Sequence, residues 1–169
     1  MKFSKFYFLI KTDMRYLFSF LFLSFFLVSC ENDDDVCLSG EATPRVKIKF
    51  KSADNKLLTL DSLYLDVDYG GASLINVATK AKVDSVLVPL RVDDNGFTEI
   101  SIRRTKKGNK SKVKLNYTTT SEYVSPACGF KKLYQNVAAK LETTNPVTKV
   151  ELNQNQIINE DETHLYLVF

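Results

Sequence analysis

Apolar and polar residues alternate in several short segments after residue 45. This alternation, with a period of two, is typical of β-strands that bury one face. Polar or glycine-containing turns separate the segments, as at Ser52–Lys56 and Gly70-Gly71. Many short strands separated by turns predict a mainly β fold, an antiparallel β-sandwich. The predicted strands are Val46–Lys51, Leu63–Tyr69, Val86–Val92, Thr98–Ile102, Val113–Tyr117, Val147–Leu152 and His164–Phe169, with a weaker candidate at Tyr123-Val124.

Two turn features constrain how the predicted strands pair. Asn95-Gly96 readily adopts positive φ, so Asp93–Gly96 is expected to join the strands on either side of it as a hairpin. Pro89 has no backbone N–H to donate to a neighbouring strand. The run Val86–Val92 is therefore expected to be an edge strand or to carry a bulge.

One segment is ambiguous between helix and strand. Its apolar residues recur at spacings of three and four, which is typical of one face of a helix. They are Phe130, Leu133, Tyr134, Val137 and Leu141. The spacing favours one short helix near 130–141, and a twisted strand that uses the same residues is the alternative.

The first 29 residues have a different pattern, typical of an export signal. Basic residues, among them Lys2 and Arg15, precede an apolar run from Tyr16 to Val28. Its 13 residues are fewer than the roughly 20 that span a bilayer. Residues 1–29 are therefore predicted to be a signal peptide. Met14 is an alternative start, from which Arg15 alone would form the basic region.

A lipid attachment site is predicted where the signal peptide ends. Leu27-Val28-Ser29-Cys30 resembles the lipobox of bacterial lipoproteins, in which acyl chains such as palmitate are attached to the cysteine and the chain is cut just before it. The membrane is thus an expected partner, through lipid on Cys30. The next residues, Glu31–Asp35, carry four acids in five positions. They predict that residues 30–43 form a solvated acidic tether.

The acidic stretch also resembles the export signal that directs Bacteroidetes lipoproteins to the outer face of the outer membrane. We therefore expect an outer-membrane, lipid-anchored protein. Whether it faces the cell surface or the periplasm stays open at this point.

The composition has a different meaning once the signal peptide is set aside. The whole chain has a net charge of +3 and 12 Phe, of which eight lie in the first 29 residues. Removing those residues leaves 19 basic and 19 acidic side chains. The body thus has no net charge, so no nucleic-acid partner is expected. Residues 44–169 suffice for one hydrophobic core and are predicted to form a single domain.

Two cysteines remain in the body, Cys37 and Cys128. In an oxidising exported compartment a disulfide between them is the default prediction, and a free reactive thiol is the alternative. Since seven residues separate Cys30 from Cys37, the bond would keep the domain within about 25 Å of the lipid anchor.

Candidate catalytic groups are few. His164 is the only histidine and lies out of phase with the apolar residues of the last strand, which predicts an exposed side chain. Asp66 and Asp68 share one face of a predicted strand, about 7 Å apart. Such a pair could serve glycoside hydrolysis or calcium binding, although it is more often the solvated face of a strand. We therefore predict no catalytic residue, no metal site and no cofactor.

Two kinds of surface motif are candidate binding or modification sites. Arg103–Lys110 is a basic cluster at a predicted hairpin tip, without the interleaved aromatics of a nucleic-acid site. It is expected to be a solvated turn, or a contact for anionic lipid or polysaccharide. Asp61-Ser62-Leu63 and Asp84-Ser85-Val86 resemble the O-glycosylation motif of exported Bacteroidetes proteins, although so short a motif also arises by chance. Ser62 and Ser85 are thus candidate glycosylation sites.

The order of several short features resembles a family of small Bacteroidetes lipoproteins of unknown function, over nearly the whole chain after the signal peptide. These features are the lipobox, Cys37, Thr43-Pro44-Arg45, Pro89-Leu90, Tyr123–Ser125, Cys128-Gly129 and Thr163-His164-Leu165. The resemblance implies no known activity and no catalytic residues. It suggests a neighbouring outer-membrane β-barrel protein as a partner.

These observations together predict a lipid-anchored envelope lipoprotein, a non-enzymatic binding or accessory module close to the outer membrane. One alternative is a structural or adhesin-type, pilus-like surface subunit, in which the C-terminal strand Leu165–Phe169 would be exchanged between subunits. A hydrolase ranks third, because it would depend on His164 or on Asp66 and Asp68. No pattern in the sequence identifies a ligand.

Overall fold

The computed structural model describes residues 42–169, and in this range nine β-strands form two sheets without a helix. The strands are β1 (Val46–Lys51), β2 (Leu60–Asp68), β3 (Ile75–Val83), β4 (Ser85–Val88), β5 (Phe97–Arg103), β6 (Ser111–Ser125), β7 (Gly129–Thr143), β8 (Lys149–Leu152) and β9 (Leu165–Val168). The first sheet has the order β4-β1-β9-β8 and the second the order β3-β2-β5-β6-β7. The predicted β-sandwich is confirmed.

Alternating apolar residues from both sheets build one core. β1 shows the rule most simply, because Val46, Ile48 and Phe50 are buried while the three lysines that alternate with them are half-buried at the surface. Each such side chain contributes roughly 1.5–3 kcal/mol when it leaves water. The fully buried core also includes Leu63, Leu65, Val67, Ile100, Ile102, Leu115, Leu165 and Leu167.

The last strand, β9, lies inside the first sheet. It pairs with β1 in parallel, from Ile48↔Leu165 to Lys51↔Val168. On its other side it pairs antiparallel with β8. This parallel pair is the one departure from antiparallel pairing among the described strands, and nothing in the alternation of residues indicates it.

The expected short helix near 130–141 is wrong, because this segment is strand β7. A bulge explains the helix-like spacing. Between the pairs Asn116↔Ala138 and Thr118↔Gln135, one residue of β6 faces two of β7. Asn136, at φ 52°, is one of these two residues. The bulge leaves Tyr134 and Val137 both buried at a spacing of three, as in a helix.

The expected hairpin at Asp93–Gly96 is also wrong. β4 ends at Val88 and pairs with β1, so the residues after it cross from the first sheet to β5 in the second. The positive φ values belong to Asp94 and Gly96, at 59° and 71°. The expectation for Pro89 is confirmed, since β4 is an edge strand that ends just before it.

The hairpin of β6 and β7 extends past the rest of its sheet. β5 pairs only with Ser111–Asn116 of β6, whereas the pairing of β6 with β7 continues to Ser125↔Gly129. We call the projecting part, residues 118–133, the arm. Its two strands confirm the weaker prediction at Tyr123-Val124 and make that strand much longer than expected.

Several predicted features lie outside the described residues. They include the signal peptide 1–29, nearly all of the tether 30–43, Cys30 and Cys37. Within residues 42–169, no helix is long and apolar enough to cross a bilayer.

Candidate functional site

Two adjoining cavities open along the edge strand β4. The first, of about 390 Å³, lies between β4 and the edge strand β3. The second, of about 400 Å³, lies between Pro44 and residues 158–161. Leu87 lines both cavities. We call the two together the β4 cleft, and its second cavity opens beside Ala42, the first described residue.

An ion pair joins the two cavities. Arg45 lines the first and Glu160 the second. The guanidinium donates from Nε to Oε1 and from Nη2 to Oε2, both at 2.7 Å, which is the strong bidentate geometry. The backbone N–H of Arg45 donates to the same carboxylate at 3.0 Å. These hydrogen bonds hold the pKa of Glu160 below its usual range.

The charges of the cleft are separated along its length. Three cations, Arg45, Lys47 and Lys80, line the first cavity, whereas Glu160 and Asp161 line the second. Lys47 Nζ donates to the backbone carbonyls of Glu160 and Asp161, at 3.1 and 3.0 Å. Lys80 has no ion-pair partner among residues 42–169. The first cavity is therefore suited to an acidic or amphipathic group.

His164 is buried, so its predicted exposure is wrong. Its Nδ1 accepts a hydrogen bond from the backbone N–H of Lys47 at 2.9 Å. Its own backbone N–H donates to the carbonyl of Lys47 at 3.0 Å. The residue before β9 is thus fastened to β1 by both backbone and side chain. Burial lowers the pKa of the imidazole.

The solvated-face explanation is wrong for Asp66. β2 keeps its phase through Leu63, Leu65 and Val67, and the bulge between the pairs of Leu65 and Asp66 lies on β3, where Val77 is unpaired. Asp66 is nevertheless buried on the opposite face of β2, where Asn76 and Arg103 contact it. The Asp66 carboxylate pairs with Arg103 and accepts from Asn76 Nδ2 at 2.8 Å. Asp68 is half-exposed and instead accepts from the N–H of Gly70, at 2.7 Å. The two carboxylates therefore have separate structural partners.

No group of three or more His, Cys, Asp or Glu residues within 42–169 is placed to hold a metal ion.

The two candidate glycosylation serines lie on different sheets. The Ser62 hydroxyl, on β2, donates to the backbone carbonyl of Arg104. The Ser85 hydroxyl, at the start of β4, donates to Asp84 Oδ1 at 3.0 Å and lines the first cavity. Modification of either residue stays a prediction.

Of the three cysteines in the predicted disulfide and lipid site, the structure describes only Cys128. Cys128 lies in the turn of the arm, and its N–H donates to Ser125 Oγ at 3.1 Å. Because Cys37 and Cys30 lie outside the described residues, the disulfide and the lipidation both stay predictions.

The basic cluster lies at the other end of β6 from the turn of the arm. Residues 104–110 connect β5 to β6, which confirms the predicted hairpin tip. β6 runs from Ser111 to Ser125, a length of roughly 45 Å at 3.3 Å per residue. Arg103 pairs with Asp66 and also donates from Nη1 to the backbone carbonyl of Lys106 at 2.9 Å.

Comparison with known proteins identifies a family but no function. Residues 58–169, about two thirds of the chain, match the model of a family of unknown function, DUF6452. The match begins before β2 and includes β2–β9. No curated protein and no solved structure matches the chain. The chain therefore belongs to the DUF6452 family, whose function is unknown.

Proposed function

We propose that this protein is a lipid-anchored lipoprotein of the Bacteroidetes cell envelope, a non-enzymatic binding or accessory module close to the outer membrane. The position of the β4 cleft carries the proposal, because Ala42 and Pro44 line its second cavity. Twelve residues separate the proposed lipid site, Cys30, from Ala42, a reach of at most about 40 Å. An occupant of the cleft would therefore come from near the membrane surface.

The edge strand β4 supports a protein segment as the occupant. β4 pairs with β1 on one side and with no described strand on the other. Its outward N–H and C=O groups can therefore pair with an added strand. Lys47 and Lys80 in the first cavity favour an acidic segment, since Lys80 has no ion-pair partner among residues 42–169 and only the charge of Arg45 is balanced by Glu160. A loop of a neighbouring outer-membrane β-barrel protein has the required extended form and location.

The environments of His164 and Asp66, on which a hydrolase would depend, favour a binding or accessory module over an enzyme. His164 accepts a backbone hydrogen bond in the interior. Asp66 balances the charge of Arg103 between two strands. Both side chains thus have structural roles that a catalytic role would disrupt.

Lipidation is tested by labelling cells with an alkyne analogue of palmitate. We expect the wild-type protein to carry the label and Cys30→Ser to lose it, since the lipobox thiol is the proposed attachment atom. Cys37→Ser is the matched control and should keep the label. Equal labelling of Cys30→Ser and wild type would contradict the lipid anchor.

The cleft is tested by photo-crosslinking in intact cells. A crosslinking residue at Ile158, which is 53% exposed and lines the second cavity, should yield an adduct with a β-barrel protein. Val92, 55% exposed and outside both cavities, is the matched control and should not. Equal adducts from the two positions would overturn the accessory function.

A strand-exchanging surface subunit is the second candidate, for one specific reason. The two edge strands β3 and β4 flank the first cavity, so a strand from another subunit has a place to pair there. β9 is less suited to exchange, because it is paired on both sides. Adducts of the protein with itself from Ile158 would favour this candidate.

A further inference from the structure

Two aromatic side chains project into solvent near the turn of the arm. Tyr123 is 56% exposed and Phe130 is 70% exposed. They are cross-strand partners in the register of β6 and β7. Their rings meet edge to face, with centroids 5.4 Å apart. We call this pair the aromatic tip.

The aromatic tip lies on the same face of the second sheet as the core, beyond the part that the rest of the domain buries. Phe130 lies four residues from the buried Tyr134, which places both on one face of β7. Between them, Lys132 is covered by the turn after β4, since its Nζ donates to Asp94 at 2.8 Å. The aromatic pair itself stays exposed, so its apolar surface is available to a partner.

The chain from the proposed lipid anchor joins the domain beside this tip. Thr43 Oγ1 accepts a hydrogen bond from the N–H of Lys132 at 3.0 Å. Phe130 lies two residues before Lys132 on β7, toward the turn of the arm and about 7 Å away. Thirteen residues separate Cys30 from Thr43, at most about 45 Å of chain. The aromatic tip therefore lies within reach of any bilayer that holds the anchor.

The charges around the tip cancel. Lys131 pairs with Glu122 at 3.1 Å, and Lys132 pairs with Asp94. The tip thus presents neither a cationic patch for anionic lipid nor an acidic patch for a basic protein. A neutral pair of rings, one with a polar hydroxyl, has the chemistry of aromatic residues at the headgroup level of membranes.

We propose that the aromatic tip inserts into the headgroup region of the bilayer that carries the protein. The inference rests on the proposed lipid anchor, which makes insertion an intramolecular event. A contact of two side chains then suffices, because the tether supplies a high effective concentration. Insertion would fix the domain by two points, the lipid and the arm, and so orient the β4 cleft relative to the membrane.

The test uses the absence of tryptophan from the chain. Phe130→Trp places a single tryptophan at the tip, which is excited selectively over the tyrosines. Leu57→Trp is the matched control, because Leu57 is 68% exposed and follows β1, at the far end of that strand from Thr43. Both lipidated full-length proteins are reconstituted into phosphatidylcholine vesicles with and without brominated acyl chains, which quench tryptophan.

We expect a blue shift and a loss of emission with brominated lipid for Phe130→Trp, and neither for Leu57→Trp. Because the tip is neutral, high salt should leave the quenching unchanged. Equal quenching of both variants, or quenching abolished by salt, would overturn the proposal.

Flotation of the same vesicles separates the two levels of the argument. If the wild-type protein does not float with the vesicles, the lipid anchor itself has failed. If it floats and Phe130→Trp is not quenched, only the inserted tip has failed. A blue shift without vesicles, accompanied by a dimer in sedimentation that Phe130→Ser abolishes, would show that a second copy covers the tip and would also overturn the proposal.

Discussion

At the scale of single residues, the most unusual group in the core is the hydroxyl of Tyr134. The side chain is fully buried, and its oxygen has no hydrogen-bond partner in the described protein. The neighbouring Tyr117 stacks on it edge to face at 4.9 Å. The Tyr117 hydroxyl, in contrast, bonds to Thr98 Oγ1 at 2.6 Å. Burial raises the pKa of both phenols.

We therefore expect Tyr134→Phe to raise the free energy of unfolding, by about 1 kcal/mol, because it removes a buried polar group that gains no bond. Tyr117→Phe is the matched control and should lower it by about 1 kcal/mol, since it removes the hydroxyl that bonds to Thr98 Oγ1 and to the Arg91 carbonyl. Urea unfolding measures both. A clear loss of stability in Tyr134→Phe would contradict the explanation.

His164 should make the stability depend on pH. Its folded-state pKa is lowered from the ordinary 6.5, first by burial. As pH falls below about 6.5, the unfolded chain takes up a proton that the folded protein resists. The stability present at higher pH is thus lost progressively until the pH reaches the folded pKa.

Urea unfolding at several pH values between 8 and about 5 measures this loss. His164→Asn keeps a side-chain acceptor for the Lys47 N–H but has no proton to gain. Since the chain has one histidine, the variant should lose the pH dependence in this window. An unchanged pH profile in His164→Asn would assign the effect to other groups.

At the scale of elements, β9 determines how the first sheet holds together. Leu167 of β9 is fully buried between β1 and β8. Leu167→Ala should cost about 2–5 kcal/mol, as is usual for a buried leucine. Leu152→Ala, at the exposed end of β8, is the control and should cost much less. Thermal unfolding compares them, and similar losses would mean that β9 is not central to stability.

Local alternation predicts the strands that bury large apolar residues, and it fails where another element intervenes. β1 and β5 were predicted nearly to the residue because every second side chain is apolar and buried. β3 was missed, since its edge position leaves six of its nine side chains exposed, four of them polar. β7 was mistaken for a helix because the bulge at Asn136 changes its period.

The candidate site was less predictable than the strands, for a related reason. The cleft depends on which strands become edges and on the ion pair Arg45–Glu160, whose partners are 115 residues apart. Asp66 and His164 were assigned to the surface because local periodicity does not reveal long-range contacts, which join Asp66 to Arg103 and His164 to β1. The aromatic tip was not predicted either, because Tyr123 was assigned to a weak strand and Phe130 to the expected helix.

At the scale of the whole molecule, the two ends of the second sheet have different characters. The arm turn lies near Thr43, where the tether enters, whereas the basic residues of 104–110 lie at the opposite end. If the arm faces the bilayer, these basic residues face away from it. Anionic polysaccharide would then suit them better than the lipid surface of the same membrane.

The predicted disulfide would tie the tether to the turn of the arm. Cys37→Ser should lower the melting temperature, because the bond would close a loop of about 90 residues. The chain-entropy model gives an upper-end figure of roughly 4–5 kcal/mol. Reductant should lower the melting temperature of the wild type and leave Cys37→Ser unaffected. Equal melting temperatures of variant and wild type would contradict the pairing.

The parallel pair of β1 and β9 makes the assembly of the first sheet depend on the last described strand. β1 is the first described strand to be synthesised, and it cannot complete its pairing until β9 has been synthesised, because β9 lies between β1 and β8. A chain that stops short of Leu165 leaves the edge of β1 and part of the core open to proteases. A chain that lacks β9 is therefore expected to be degraded, whereas a chain that includes β9 should persist as folded protein.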